Sequence, residues 1–386
     1  MPVPLPPPGE LLPPPSPDEV FLTSRAIVTA IAGPNGLTDL QYHIMAANFV
    51  AMTNTHVNPD FLEPLGPVEF AEAMRYRVKD YRVRMLQMML LGAFILNPLP
   101  PEIVERIREY AREMSVDDYM IDAALHQALG ARDQISMDFQ RAGYHDDLPE
   151  HVDGASYAGV EAPDHWKPVE DDPELAGRWA AMEHLPPNTV GRQVWQFYIS
   201  RGFHFPGSPG SASPYLAQHD WMHVIADYGS LIESEIEIFG LISRANDNTD
   251  GFSLLTMVIS LFETGRLSSV AIFEQDPSHL SKHSRQMGVR LADAMYRGAI
   301  IGAKFGGQDL LEVDWLSLAD RDVDEVRKML GIPPKSGAAI RAGSVGPWEL
   351  GGISPYQLNS GREMAVAMGR EYNSFGGETP LPELED

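Results

Sequence analysis

The sequence contains no cysteine among its 386 residues. This absence excludes disulfides, iron–sulfur clusters, thiolate zinc sites and a cysteine nucleophile. Any metal ion would therefore have to be held by imidazole and carboxylate groups. The absence does not identify a compartment, because a cytosolic protein can simply lack cysteine.

Long apolar runs and long basic runs are also missing. The longest apolar stretches, at 85–96 and 252–262, each span about a dozen residues, whereas a bilayer-spanning helix needs about 20. The net charge is −25, from 54 acidic and 29 basic residues, and so acidic a surface repels phosphate backbones. Residues 1–17 contain no basic residue, which is unlike a secretory signal. We expect a soluble, cytoplasmic protein that has no nucleic-acid partner and is at most peripheral at a membrane.

Hydrophobic residues make up 44% of the chain, enough to bury a sizeable core. Apolar residues recur at three- and four-residue spacings, and no convincing strand pattern is present. This predicts an all-α fold, a multi-helix bundle, with residues 18–145 either forming an additional N-terminal subdomain or packing onto the rest. The predicted helices lie near 18–31, 38–53, 67–96, 101–114, 116–141, 174–184, 188–202, 214–228, 231–244, 252–263, 278–304 and 320–330.

Composition divides the chain into five regions. They are a disordered Pro-rich leader at 1–17, an N-terminal helical region at 18–145, a linker or functional loop at 146–173, a helical domain at 174–333 and a Gly/Pro-rich acidic tail at 334–386. The tail is predicted to be loop-like, with one short helix near 360–371. The candidate metal-binding residues fall in the helical domain at 174–333.

One predicted helix of that domain carries two histidines on one face. Ser213 and Pro214 are typical of its start. His219 and His223 stand four residues apart, so both imidazoles project from the same side. Asp220 falls within about a quarter-turn of them, since each residue turns the helix by about 100°.

Glu235 is the carboxylate that could complete a site there. It lies on the apolar face of the next predicted helix, where an unpaired charge is costly. In one uninterrupted helix it would sit roughly 18 Å from His223. A reversal at Gly229, a typical helix-ending residue, would bring it back against the imidazoles. Asp227, on the same stripe as the histidines, is a candidate acceptor that fixes a histidine ring.

Histidine spacing alone is a weak signal, because twelve histidines make a chance pair common. His219 and His223 could instead be hydrogen-bonded interface histidines. His279 and His283 show the same spacing, but their polar neighbours predict a solvated helix face. A further cluster, at 145–151 (HDDLPEH), lies in a loop-like stretch that contains a proline.

The spacing His-Asp-x-x-His, eleven residues, then Glu resembles the metal motif of a known family. That family is the coenzyme Q (ubiquinone) biosynthesis proteins of the fourth complementation class. Further segments are similar to the family and follow its order. They are 185–192 (LPPNTVGR), 195–198 (WQFY), 297–304 (RGAIIGAK), 313–315 (VDW) and 322–332 (DVDEVRKMLGI). The resemblance covers roughly residues 180–333.

The resemblance implies a divalent metal and a bound isoprenoid or quinone-like lipid. The implied activity is oxidative decarboxylation at carbon 1 of a polyprenylated hydroxybenzoate ring, by a metal-dependent lyase. By position, the implied metal ligands are His219, Asp220, His223 and Glu235, and Glu235 and Asp220 are the candidate catalytic residues. Zinc is the expected metal, while iron, manganese and magnesium also suit such donors. Partner enzymes, a membrane surface and a homo-oligomer are further expectations.

Other functions stay open. One is a non-catalytic isoprenoid- or quinone-binding scaffold with a structural metal. Another is a metal-dependent phosphohydrolase built on the His-Asp doublet, which would need a further histidine and aspartate such as His184 and Asp227. A third is action on a different quinone-like or polyketide-derived ring. Arg192 and Lys304, at family-matched positions, could bind an acidic group of the ligand or simply form surface ion pairs.

Overall fold

A computed structural model describes residues 12–116, 171–209, 211–247, 249–264 and 278–374. Within these ranges the chain is all-helical and contains no β-strand, which confirms the predicted fold class. No helix in this part of the chain has the length and apolar character needed to cross a membrane. The predicted helix at 116–141 and the loop at 146–173 lie almost entirely outside the described residues, as does the cluster at 145–151.

The described N-terminal region is built from helices with well-defined starts. Its elements are α1 (Pro17–Ile31), α2 (Asp39–Thr53), a 3₁₀ helix (Pro59–Phe61), α3 (Pro67–Met74), α4 (Lys79–Phe94) and α5 (Pro101–Glu113). Ser16 and Glu19 form a capping box at the start of α1. Thr38 caps α2, accepting a hydrogen bond from the Gln41 N–H. These caps satisfy backbone N–H groups that the first turn of each helix leaves without partners.

The pattern at 67–96 predicts one helix, but the structure has two. α3 ends at Met74 and α4 begins at Lys79. Arg77 lies in the break, where its Nε is 2.8 Å from a carboxylate oxygen of Glu19 and its Nη2 is 3.0 Å from the Pro14 carbonyl oxygen. These long-range polar contacts anchor the break to the start of α1. Apolar periodicity cannot reveal such an anchor, because the partners are far apart in sequence.

The rest of the described chain continues in the same way. Its elements are α6 (Pro173–Ala181), a 3₁₀ helix (Met182–His184), α7 (Val190–Arg201), α8 (Gln218–Ile225), α9 (Ile232–Ala245), α10 (Thr249–Thr264), α11 (His279–Lys282), α12 (Ser284–Phe305), a 3₁₀ helix (Trp315–Leu318), α13 (Val323–Leu330), α14 (Gly337–Arg341) and α15 (Pro355–Ala367). The helix predicted at 278–304 is therefore interrupted, at His283. α8 is also shorter than the helix predicted at 214–228.

Helix α12 joins the two halves of the described molecule. It packs against α9 on one side and against α2 on the other. The approach to α9 is close: a Cβ atom at Gly298 would lie 2.1 Å from the Leu241 carbonyl oxygen, so only glycine fits. Buried side chains from both halves form one continuous apolar core. The described N-terminal helices thus pack onto the helices that carry the candidate site.

The described part of the tail, 334–374, contains two helices where the sequence suggests one. α15 starts at Pro355, several residues before the predicted helix at 360–371, because Ser354 and Gln357 form a capping box there. The Tyr372 hydroxyl donates a hydrogen bond to the Ser200 carbonyl oxygen (3.0 Å), tying the end of this segment to α7. The tail thus becomes part of the packing behind the candidate site.

Candidate metal centre

A tight turn leads into helix α8. The Ser213 hydroxyl accepts a hydrogen bond from the Leu216 N–H (3.2 Å), so Ser213 caps the segment as predicted. The amides of Gln218, His219 and Asp220 each bond the carbonyl three residues earlier. The chain is therefore wound as tight turns before α8 proper begins at Gln218. His219, Asp220 and His223 are all fully buried.

The chain reverses after α8, as predicted, but the residue that ends the helix is not Gly229. Asp227 adopts a left-handed conformation with φ of 64°, which Asp tolerates better than most residues. The Tyr228 N–H then bonds back to the His223 carbonyl oxygen (2.8 Å). The prediction that Gly229 ends the helix is therefore wrong. Gly229 is required by a close approach, since a Cβ atom there would lie 2.9 Å from the Cα of Gly352.

The reversal brings Glu235 to the two imidazoles. Its carboxylate oxygens lie 3.4 Å from the Nε2 of His219 and 3.4 Å from the Nε2 of His223. One donor atom from each of the three residues falls within 4.8 Å of the other two, and all three side chains are buried. We call these three residues the triad. Glu235 is the only member with measurable exposure, at 7%.

Backbone carbonyls set the orientation of both rings. The Nδ1 of His219 lies 2.6 Å from the Leu216 carbonyl oxygen, and the Nδ1 of His223 lies 2.6 Å from that of Gly229. A carbonyl oxygen can only accept, so each Nδ1 carries the hydrogen. Each Nε2 then points toward the Glu235 carboxylate, and a metal ion or a proton held between nitrogen and oxygen makes this arrangement favourable.

The electrostatics of the triad favour an ionised carboxylate. Burial by itself raises the pKa of Glu235, but the facing imidazoles of His223 and His219 lower it well below its ordinary value. A tetrahedral site with metal–ligand distances of about 2.1 Å has ligand–ligand separations of about 3.4 Å. Both imidazole–carboxylate separations of the triad match this value. The donor set therefore suits a divalent metal such as zinc.

Asp220 lies beside the triad rather than inside it. Its Oδ1 is 3.5 Å from the Nε2 of His219, and its Oδ2 accepts a hydrogen bond from the Tyr198 hydroxyl at 2.5 Å. Tyr198 is fully buried on α7 and so fixes the direction of the Asp220 carboxylate. No role for Tyr198 is predicted from the sequence, although Tyr198 lies in the family-like segment 195–198.

Aromatic rings and a buried arginine support the triad from behind. Phe197 stacks on His223 with centroids 4.8 Å apart, and Phe239 packs against His219 at 5.0 Å. The guanidinium of Arg201 lies 3.9 Å from the Phe197 ring centroid. Arg201 is fully buried, which lowers its pKa to about 9. Neither phenylalanine nor this arginine was singled out from the sequence.

Arg201 also binds the tail to the reversal that follows α8. Its Nε donates to the Ser230 hydroxyl at 2.6 Å, and its Nη2 lies 3.0 Å from the carbonyl oxygens of Pro347 and Gly352. Gln357 of α15 adds a hydrogen bond from its side-chain amide to the Ser230 carbonyl oxygen (2.9 Å). The segment whose carbonyl orients His223 is thus held by residues more than a hundred positions away.

Three cationic side chains hold the C-terminal end of α8. Arg327 donates to the carbonyl oxygens of residues 224 and 225, at 3.0 and 2.8 Å. Arg297 donates to that of residue 226 at 2.8 Å, and Lys335 to that of residue 227 at 2.7 Å. Four consecutive carbonyls that the helix itself cannot satisfy therefore receive charged donors, which also complement the helix dipole.

The remaining predicted site residues do not join the triad. Asp227 was expected to fix a histidine ring, but backbone carbonyls do so, and its Oδ2 lies 3.4 Å from the Lys335 Nζ. Arg192 donates to the Glu183 carbonyl oxygen (2.8 Å) and lies over the Trp195 ring. Lys304 is exposed and donates to the Lys328 carbonyl oxygen. Neither Arg192 nor Lys304 contacts a triad residue in the part of the chain that the structure describes.

Comparison with known proteins adds no relative. Neither a protein-family model, nor a curated protein, nor a solved structure matches the chain. The geometry of the triad and the motif resemblance are therefore the two observations that bear on function.

Proposed function

We propose that this chain binds a divalent metal at His219, His223 and Glu235, with Asp220 in reach, and acts on a prenylated aromatic or quinone-like ring. The reaction proposed is oxidative decarboxylation at carbon 1. The observation that carries the proposal is the convergence of two fixed imidazole Nε2 atoms and one buried carboxylate on a single point. The reaction class comes from the motif resemblance and not from the geometry.

The proposed oxidative decarboxylation replaces one bond at ring carbon 1 with another. The bond between the ring and its carboxyl carbon breaks, carbon dioxide leaves, and a bond from oxygen to ring carbon 1 forms. With water as the oxygen source, a ring carboxylate releases two electrons and one proton, so a two-electron acceptor such as dioxygen must be a co-substrate. A bound divalent metal would supply Lewis acidity to the carboxylate and neighbouring hydroxyl of the ring.

The protein's own residues supply orientation and exclusion of water. The carbonyl partners of the two Nδ1 atoms fix the tautomer of each ring. Tyr198 holds the Asp220 carboxylate beside the triad, where it can accept a proton from a ring hydroxyl. Phe197 and Phe239 line the imidazoles with apolar surface, and this strengthens every electrostatic interaction at the site.

The proposal extends to partners. A prenylated substrate carries a long apolar chain, so we include an isoprenoid or quinone-like lipid as ligand and the surface of a membrane as its source. Partner enzymes of the same pathway and a homo-oligomer belong to the same proposal. Zinc is the metal we favour, because the triad separations match a tetrahedral site.

A scaffold with a structural metal is the second candidate, and burial favours it. His219 and His223 are fully buried and Glu235 is 7% exposed, as in a closed structural site. The phosphohydrolase alternative has less support, because the carboxylate of Asp227 pairs with Lys335. Within the described residues, the metal-ligand group contains neither His184 nor Asp227.

Elemental analysis of the purified protein tests the metal site. We expect about one equivalent of divalent metal in the wild type and a loss of most of it in His223→Ala, because one of three donors is gone. His283→Ala is the matched control: it removes an exposed histidine from the other i, i+4 pair and should retain the metal. Equal metal content in wild type and His223→Ala would reject the site.

Product analysis then separates the enzyme from the scaffold. The metal-loaded wild type is incubated with a prenylated hydroxybenzoate in air, and carbon dioxide and the ring product are measured. An enzyme releases carbon dioxide together with a ring that carries hydroxyl in place of carboxylate, and Asp220→Asn slows this release. A scaffold binds the compound and leaves it unchanged.

A further inference from the structure

A second concave surface is formed where the two halves of the molecule meet. A groove of about 420 Å³ lies between α2 and α12, far in sequence from the triad. This volume is in the range of small-molecule sites, which often form at such junctions. We call it the α2–α12 groove. The polar side chains that line it are Tyr42, His43, His56, Asn58 and Arg285.

The charge of the groove is opposite to that of the protein. No carboxylate lines it, although the chain has 54 acidic and only 29 basic residues. Arg285 and His56 form no hydrogen bond or ion pair with any other residue in the described part of the chain. A cation and two imidazoles gathered in a lining that contains no carboxylate provide a place for an anion.

His43 and Asn58 are two further polar residues of the groove, and charges near His43 affect its pKa. Burial lowers the pKa of His43, while nearby Asp39 raises it and Arg285 lowers it further. Arg285 lines the same groove as His43, whereas Asp39 is not part of the lining. Asn58 accepts hydrogen bonds from the Tyr42 hydroxyl (3.3 Å) and the Asp60 N–H (3.0 Å). Its side-chain NH₂ group remains available as a donor.

Part of the lining of the groove is apolar and built from small side chains, and we call this part the floor. Ala46 of α2 and Ala292 of α12 leave open the space that larger side chains would fill. The two helices approach closely at Gly288, where a Cβ atom would lie 3.0 Å from the Cβ and the carbonyl oxygen of His43. This contact holds the walls at a fixed separation. A compact apolar part of a ligand can rest on the floor while its charged end meets the polar side chains of the lining.

We propose that the α2–α12 groove binds a small organic anion, a single carboxylate or phosphate group attached to a compact apolar or aromatic body. Arg285 pairs with the anionic group, which also accepts hydrogen bonds from the other polar side chains of the lining. The ring or aliphatic part of the ligand covers Ala46 and Ala292. This site is separate from the triad and does not depend on the reaction proposed there.

Calorimetric titration of the full-length protein tests the ligand class with defined probes. Benzoate and phenyl phosphate carry both an anion and a ring, benzamide is a neutral analogue of benzoate, and inorganic phosphate lacks the ring. We expect saturable binding of one equivalent of benzoate or phenyl phosphate. Benzamide should bind at least about tenfold more weakly, because it cannot form the charged hydrogen bonds. Equal binding of benzamide and benzoate would overturn the assignment of an anion site.

Two variants test the position of the site. Arg285→Gln should weaken binding about tenfold or more. Arg112→Gln, which removes an exposed guanidinium on α5 with 66% of its side chain accessible, should leave binding unchanged. Ala292→Phe fills the floor without changing charge and should abolish binding. Unchanged affinity in either Arg285→Gln or Ala292→Phe contradicts the proposal, as does an equal loss in Arg112→Gln.

The triad must be excluded as the source of the signal, because a bound metal could chelate benzoate. The same titrations are therefore repeated on His223→Ala. Retained binding of benzoate supports the groove whatever the fate of the metal proposal. Binding that disappears in His223→Ala but persists in Arg285→Gln assigns the anion to the triad and rejects the groove.

Discussion

Two histidine pairs in this protein share one spacing and differ in chemistry. His219 and His223 have ring centroids 5.5 Å apart, and His279 and His283 have centroids 5.1 Å apart. Each pair also faces a glutamate of the same helix, α9. Glu235 faces both rings of the first pair, and Glu233, two positions earlier, contacts His279 of the second. Because these glutamates project from different sides of α9, one helix serves both pairs.

The distance between nitrogen and oxygen distinguishes the pairs. The Nε2 of His279 lies 2.7 Å from a carboxylate oxygen of Glu233, a direct hydrogen bond. The corresponding distances in the triad are 3.4 Å, too long for a good hydrogen bond and suited to an ion between the atoms. The two pairs also differ in burial, since the His279 side chain is 18% exposed and that of His219 is 0% exposed.

Neutralising each glutamate in turn tests the difference between the two pairs most directly. Glu235→Gln should lower the metal affinity by more than about 100-fold, because it removes a charged ligand. Glu233→Gln makes the same chemical change two residues away and should leave the metal affinity unchanged. Metal titration monitored by calorimetry measures both variants. Similar losses in the two variants would mean that the pairs do not differ as their distances indicate.

Much of the first pair could be predicted from sequence, because its signals are local. The spacing of His219 and His223 places both rings on one helix face. An acid on the apolar face of a helix requires a partner, and Glu235 finds the imidazoles on that face. The all-helical fold follows from periodicity in the same way.

The parts that could not be predicted depend on contacts between distant segments. The left-handed residue is Asp227 and not Gly229, because the glycine is needed where the tail passes at Gly352. A local pattern favours glycine as the helix terminator and contains no record of the tail. Arg201 is likewise an ordinary last residue of a helix in sequence, and only the fold buries it against Pro347 and Gly352.

The C-terminal end of α8 gives the first pair a support that can be removed without touching a metal ligand. Arg327 clamps the C-terminal end of α8 through the carbonyl oxygens of residues 224 and 225, close to His223. Arg327→Ala should lower the metal affinity roughly tenfold, as expected for a residue that orients a ligand without touching the metal. It should also lower the free energy of unfolding by about 2 kcal/mol.

The control for Arg327 is Arg321→Ala, which removes an exposed arginine just before α13. Metal titration and urea unfolding should both match the wild type in this control. Arg327→Lys should recover part of the metal affinity, because one charged donor is restored. A loss of stability in Arg327→Ala with unchanged metal affinity would show that the clamp supports the fold but does not position His223.

The smallest effect concerns the second pair and its pH dependence. Burial raises the pKa of Glu233, but the hydrogen bond from His279 and the charge of Arg290 lower it below the ordinary value of 4.5. A lowered pKa means that ionised Glu233 stabilises the fold above its unfolded-state pKa, and that this stabilisation is lost as the pH falls through the folded-state value. His279→Ala removes the hydrogen bond that lowers the pKa of Glu233, while the burial of Glu233 remains. The pKa of Glu233 should therefore rise in this variant.

Carbon-13 NMR of the Glu233 carboxyl group, followed through a pH titration, measures that rise directly. At neutral pH we expect His279→Ala to change the free energy of unfolding by less than about 1 kcal/mol, because the pair is partly solvated. His283→Ala should leave the Glu233 midpoint where it is, since the hydrogen bond comes from His279. A midpoint that does not move in His279→Ala would mean that Arg290, and not the imidazole, keeps Glu233 ionised. The hydrogen bond from His279 would then contribute little to the ionisation of Glu233, and the contrast with the triad would be wider still.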